Sequence, residues 1–428
     1  MKIPKAYVSG PITKTELVGA LRKLRESAAG PDGVTRKDLR GMNQSDLLCL
    51  LNIVWGSKIL CPILKTNRTV LLPKGGDLSN PKNWRPITIA SRVLRLLQQI
   101  ISARLKAQVP LHFSQRGFTA QDGVLMNSLV LQAVLKVFRA NGRPLTVLSL
   151  DLAKAFDRVT TTSIIDSLRK HGVDEHTVAY INANYTGITT SFQCHGIQTK
   201  RVSLGRGTKQ GDPMSGFLFN LIIDSLLEQL HEFPGISLEN AEVKAMAFAD
   251  DLILLANSPL QMSEMIESSL IFFNRHSLEV NVEKCYAYQL LRVPNTKRVC
   301  VVTEPKLSIY GLKVPTVSMD TQFKYLGHKY SHYGVMTSSV KKLDSALRRI
   351  MKAPLKPHQK LTMVQRYLVP SLYHGLQQID ITQGKLKTVT KKVRTAVKAI
   401  VHLPDGISGG ALDIQGSFQL FHPRKMSG

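Results

Sequence analysis

The chain has 428 residues, enough for two or three packed subdomains each with a core of its own, and its 43% hydrophobic content excludes general disorder. Lys and Arg number 57 against 30 Asp and Glu, a formal charge of +27. No compact fold needs that excess internally, so it points to a large polyanionic partner, nucleic acid first.

No stretch approaches the roughly 18 unbroken apolar residues of a spanning helix, and the opening MKIPKAYVSGP lacks a signal-peptide core. A soluble, intracellular protein without a membrane partner is expected. Cys49, Cys61, Cys194, Cys285 and Cys300 are odd in number, widely spaced and free of any C-x-x-C pattern. Neither a disulfide framework nor a zinc knuckle is indicated, and buried or inert thiols are expected.

Thr13-Lys14-Thr15-Glu16 is a capping box, followed by Leu17, Val18, Leu21 and Leu24 on one helical face and then the turn Gly30-Pro31-Asp32-Gly33. Residues 68–90 give an apolar strand, RTVLLP, a loop with Lys74 and Gly75-Gly76, and a second strand, NWRPITIA. Two strands bracketing a basic, glycine-bearing loop suit a surface that grips a triphosphate or a template backbone, with Arg85 set just before a rigid proline. Taken alone, Arg85 is equally well read as a surface cation.

Helical periodicity runs over about 91–108 and again over about 121–139. In TVLSLDLAKAFDRV, Val147, Leu148 and Leu150 predict a buried strand that delivers Asp151 at its polar end, where a rigid sheet would hold a metal-binding carboxylate. Phe156 falls beside whatever that metal holds, and Asp157 is read as a local structural residue rather than a second ligand. The glycine-rich loop 204–213, with Gln210 and Gly211, feeds an apolar helix over about 214–230 and would allow close approach to a nucleotide.

Residues 246–255 read MAFADDLILL. Adjacent carboxylates in so apolar a hairpin repel each other and resist desolvation, which a bound cation would relieve; Asp250 and Asp251 therefore suggest metal-dependent phosphoryl transfer, although an acidic pair at a hairpin taken alone is more often ordinary turn chemistry. A helix over about 259–275, LEVNVEKCYAY and FKYLGHKY follow. Between Lys341 and Lys398 stand 14 Lys and Arg with only Asp344 and Asp380 as acids, while Val389, Val393, Val397 and Ile400 recur at helical spacing. This predicts a basic helical subdomain laid along a phosphate backbone.

In this order, SAAGPDGV, LLPKGG, NWRPITI, LSLDLAKAFD, GTKQGDPMSGFLFN, AFADD, LEVNVEK and YLG resemble the reverse transcriptases of retrotransposons lacking long terminal repeats, nearest the early-branching site-specific elements. The resemblance covers roughly residues 20–330. It implies an α+β right-hand polymerase: an N-terminal extension over 1–55, fingers and palm with an antiparallel sheet over 56–330, a basic helical thumb over 331–403, and a tail over 404–428 that looks like the start of a further region. Asp151, Asp250 and Asp251 would hold two Mg²⁺ ions, with Mn²⁺ an alternative, and Asp250 is the firmer ligand of the hairpin pair. Adjacent strand residues face opposite sides, so Asp251 reaches the metals only through turn geometry.

By the same resemblance Lys74 and Arg85 would hold the triphosphate, Gln210 and Gly211 would border the nucleotide pocket, and Phe156 would be the steric gate against a 2′-hydroxyl. Lys284 is the candidate general acid for pyrophosphate departure. The implied reaction is RNA-directed DNA synthesis from a primer 3′-end, nicked target DNA in the parent element, with an RNA template and deoxynucleoside triphosphates as partners and the nucleus as site of action in a eukaryote. A maturase-like reverse transcriptase, an RNA polymerase and a non-catalytic RNA-binding scaffold are the alternatives. Two departures stand out: Phe248 where many relatives carry Tyr, and Gly216 where proline is common, which would loosen the start of the following helix.

Overall fold

The computed structural model describes residues 7–194, 196–238, 241–296, 298–302, 307–317, 322–331, 334–335, 339–376, 383–404 and 406–407. Most of the tail expected over 404–428 lies outside them. The chain forms two compact units interleaved in sequence: one draws on the chain up to Ala120, on Thr146–Ala287 and on the stretch ending at Pro315, the other on Gln121–Leu145, Tyr288–Pro305 and the chain from Thr316.

In the first unit the capping box forms as expected. Thr13 caps the helix Lys14–Lys23 and Glu16 reaches back to the Thr13 amide at 2.9 Å, while Leu17, Ala20 and Leu21 are buried. Glu16 also meets Arg104 of the helix Arg92–Gln108 at 2.6 Å, and Arg104 donates further to the carbonyls of Val8 and Pro11. The Arg104 guanidinium is the main reason the Glu16 carboxyl falls to about 2. A depressed carboxyl adds stability above its unfolded pKa of roughly 4.3 and loses it as pH falls toward the folded value. Urea midpoints compared from pH 6 to pH 2 should show Arg104→Ala with a shallower acid loss than the parent; equal slopes would contradict the link.

The Thr66–Pro73 strand pairs antiparallel with Trp84–Ile89 and parallel with Ile188–Cys194, which in turn pairs with Val202–Leu204. The inner face of this sheet is polar rather than apolar. Thr69 Oγ1 lies 3.1 Å from Thr88 Oγ1 and 2.9 Å from Thr190 Oγ1, tying three strands with hydroxyl contacts. Leu71 and Leu72 of the apolar run RTVLLP are half-buried and exposed.

A second sheet sets Leu145–Asp151 antiparallel to Asp251–Ala256, which also pairs with Ala245–Phe248. Its residues are apolar almost throughout because both faces are covered. The helix Ser215–His231 is buried along most of its length and packs against the helices Thr161–Lys170 and Pro259–Arg275. Of the thiols, only Cys285 is fully buried; Cys49, Cys61 and Cys300 are exposed, and all five are free.

In the second unit the helix Gly123–Ala140 starts at an Asp122 cap, and its Asn127 donates to the Tyr325 hydroxyl at 3.2 Å. Among the described residues it is the one helix long and apolar enough to cross a membrane, although buried Asn127, Ser128 and Gln132 interrupt its apolar run. The hairpin Phe323–Tyr325 and His328–Ser331 stacks Phe323 on Tyr330. The basic segment is helical as expected: Ser339–Lys352, Pro357–Met363, Val369–Leu376 and Gln383–Ile400 share a core of Leu343, Leu347, Val364, Val389, Val393, Val397 and Ile400.

Candidate active site

The Ala245–Phe248 and Asp251–Ala256 strands meet with Asp251 opposite Phe248, which leaves Ala249 and Asp250 as a two-residue turn. Ala249 has φ 55°, in the left-handed region, which costs a non-glycine residue roughly 1–2 kcal/mol. A neighbouring segment imposes that shape. Gln115, buried, accepts from both the Gly117 and Ala249 amides through Oε1, each at 2.9 Å. The main chain of Ser114–Arg116 bonds to Ala247 on both sides, and the Gly117 carbonyl accepts from Asn220 Nδ2 at 2.6 Å. A Cβ at Gly117 would lie 2.4 Å from the Ala249 nitrogen, so only glycine permits this approach.

Asp251 is also the direct partner of Asp151 across the sheet. Directly opposite residues of an antiparallel pair project to the same face, so the register sets these two carboxylates side by side and the turn adds Asp250. Burial first, then the charges of Asp250 and Asp151, push the Asp251 carboxyl up to about 6, though Asp251 keeps an exposed edge. Burial also raises Asp250, with Asp151 adding to it, and raises Asp151, where the charge of Lys284 works in the opposite direction. Lys284 closes the short 3₁₀ turn Val282–Lys284, held to the Asp151 strand by the Asn281 amide on the Asp151 carbonyl at 2.8 Å.

Three mutually repelling carboxylates form a hard oxygen donor set, which fits divalent cations of the Mg²⁺ and Mn²⁺ type. A tighter cluster of ligand atoms, His171, Asp224 and Glu228, lies elsewhere. It is already satisfied: His171 bonds Asp224 and the Ser167 carbonyl, Lys170 pairs with Glu228, and Asp224 accepts the His112 amide at the start of the Gln115 segment.

The glycine loop is stitched to its surroundings. Gln210 takes the Thr88 amide on its carbonyl at 2.8 Å and donates from Nε2 to Asp157 at 3.0 Å, while Thr208 bonds the Phe156 carbonyl. Asp157 is thus engaged with the loop. Gly211, at φ 112°, would place a Cβ 2.9 Å from the Thr88 oxygen. Arg206, passed over in the sequence, lines a 220 Å³ cavity with Thr88, Asp157 and Gln210.

Lys74 lies at the end of the Thr66–Pro73 hairpin, exposed, and its charge reaches Asp157; Arg85, opposite Leu72, is exposed on the same hairpin, and the structure brings neither into contact with the three carboxylates. Phe156 is half-buried, stacked on Phe219 at 4.5 Å. Gly216 lies inside the first turn of its helix, beneath the Phe118 ring. The segment 112–118 is the part of the site the sequence did not announce; its only signal was a Gln and a Gly in a short polar stretch between two helices.

A strand-end aspartate facing an Asp-Asp hairpin on an antiparallel sheet, with a glycine loop leading into a buried helix, defines a polymerase palm. Residues 72–330 match the family described as reverse transcriptase (RNA-dependent DNA polymerase), and the chain belongs to that family and to its right-hand fold class. It is 36% identical over 397 residues to a Pol polyprotein of a type-1 R2 retrotransposable element from Popillia japonica, covering 92% of this chain and 55% of the relative. A type-2 R2DM polyprotein from Drosophila melanogaster is 33% identical, with 92% and 37% covered. The kinship with elements lacking long terminal repeats therefore stands. The chain spans roughly half or less of these relatives' length. A telomerase from Candida tropicalis, solved with a fragment of telomeric RNA, aligns at TM-score 0.43 and 11% identity over 86% of this chain and 68% of that one. The family in general depends on divalent metal.

Proposed function

We propose that this chain performs RNA-directed DNA synthesis, extending a primer 3′-hydroxyl along an RNA template with deoxynucleoside triphosphates, the primer being nicked target DNA. The observation that carries this reading is the register that sets Asp151 opposite Asp251 at the Asp250 turn, within a chain of the reverse transcriptase family. Asp151, Asp250 and Asp251 would hold two Mg²⁺ ions, which when bound acidify the 3′-hydroxyl and offset triphosphate charge.

The protein's own groups supply the rest. Lys74 and Arg85 bind the triphosphate, Gln210 and Gly211 border the nucleotide, and the Phe156 ring excludes a 2′-hydroxyl. We assign fingers and palm to 56–330 and a phosphate-binding thumb to 331–403, and place the reaction in the nucleus of a eukaryotic host. Lys284, beside Asp151, donates a proton to the departing pyrophosphate. Lys284→Ala should slow single-turnover addition by about a hundredfold while primer-template affinity holds; an unchanged rate would remove Lys284 from the chemistry.

The proposal is tested by offering ribonucleotides and deoxynucleotides to the same DNA primer on RNA. Deoxynucleotides should be strongly preferred, and equal use of both would favour an RNA polymerase instead.

A further inference from the structure

We infer that Phe118 is a second wall of the sugar pocket, a positioning residue that confines the Phe156 ring, and that Gly216 is the seat on which it stands. This rests on Phe156 being the gate against the 2′-hydroxyl of an incoming nucleoside triphosphate.

Phe118 combines two costly features. The residue is 51% exposed, and its φ of 55° lies in the left-handed region, which a bulky residue adopts only when its surroundings impose it. Its ring lies directly on the helix Ser215–His231: a Cβ at Gly216 would come 2.6 Å from Phe118 Cγ, the root of the ring rather than a flexible tip. Any side chain at 216 would displace the ring. The glycine is thus accounted for by what sits on it, with the helix already begun at Ser215.

Phe156 is held from two directions. The fully buried Phe219 backs its face at 4.5 Å with an interplanar angle of 24°, and Phe118 meets it edge to face at 6.1 Å and 79°. Edge-to-face and offset-stacked contacts are the favoured aromatic geometries, so the two neighbours restrict the middle ring without distorting it. A gate excludes a hydroxyl only as well as it resists being pushed aside. The core side of Phe156 cannot yield; Phe118 closes an exposed side.

Phe118 is also registered to the carboxylates. Gly117, its neighbour, is fixed by Gln115 and Asn220 against the Ala249 turn that carries Asp250. One segment therefore sets both the position of the acidic turn and the wall beside the gate, so the ring is indexed to the point where the sugar must lie.

The test is the ratio of kcat/KM for deoxy- over ribonucleoside triphosphate in single-nucleotide addition to one primer-template. Phe156→Ala should collapse the ratio. Phe118→Ala should lower it about tenfold, chiefly through faster ribonucleotide use. Gly216→Ala should do the same even though alanine favours a helix over glycine, an outcome that a purely structural role for the glycine would not give. The double variant Phe118→Ala/Phe156→Ala should be no less selective than Phe156→Ala alone, because Phe118 acts through that ring. Should Phe118→Ala fold poorly, Phe118→Leu keeps the apolar contact without the ring edge and should fall between parent and alanine. Parental selectivity in the Phe118 and Gly216 variants alongside its loss in Phe156→Ala would overturn the inference and leave the gate intact. Unchanged selectivity in Phe156→Ala would overturn the reading beneath it.

Discussion

Asp151→Asn is expected to cut single-turnover nucleotide addition by about a thousandfold or more, since several kcal/mol of charge stabilisation depend on the cations it would hold. The same change should not harm the fold. Asp151 raises the carboxyls of both Asp250 and Asp251, and a carboxyl with a raised folded pKa loses stability as pH rises through it, near pH 6 for Asp251. Removing one of three crowded charges relieves that repulsion in the metal-free protein. The thermal midpoint at pH 7.5 should therefore be equal to or above the parent's while activity disappears. A stable variant with parental rate would exclude Asp151 from the reaction.

Gly117→Ala is expected to be nearly as damaging without touching a charged group. Its φ is not in the left-handed region, so the cost arises from contact alone: the new methyl meets the Ala249 backbone at 2.4 Å and must move the turn or its own segment. Displacing a reacting group by about 1 Å can cost about a hundredfold in rate, and that loss is expected here in single-turnover addition. Gly19→Ala is the matched control. It lies in the helix Lys14–Lys23 with nothing within 4 Å of the added Cβ, and should be neutral or stabilising. A Gly117→Ala enzyme as fast as the parent would show that the 112–118 segment does not set the turn.

Much of the site was legible because its signals are local. Asp151 ends an apolar run, Asp250 and Asp251 interrupt one, and Thr13 and Glu16 announce a helix start, each within a few residues of sequence. The sequence also ranked Asp250 above Asp251 on the rule that neighbours in a strand diverge. The turn removes that objection: Asp250 stands outside the strand and Asp251 is its first residue, facing Asp151.

What stayed hidden depends on segments distant along the chain. Gln115 binds an amide 134 residues away, and Asn220 reaches the Gly117 carbonyl across 103 residues, so neither leaves a periodic trace. Gly216 read as a weakened helix start for the same reason, since the ring that occupies its place comes from another loop. The threonine face of the sheet built on Thr66–Pro73 escaped because alternation reports which residues share a face but not whether that face is greasy or hydroxyl-bonded.

The most direct measurement is extension of a DNA primer on an RNA template with Mg²⁺ and deoxynucleotides, comparing this chain with Asp250→Asn/Asp251→Asn. The parent should make DNA complementary to the RNA, and the double variant should bind the same primer-template with the same salt dependence yet make none. Salt-sensitive RNA binding with no DNA from either protein would contradict the assignment and identify the chain as an RNA-binding scaffold.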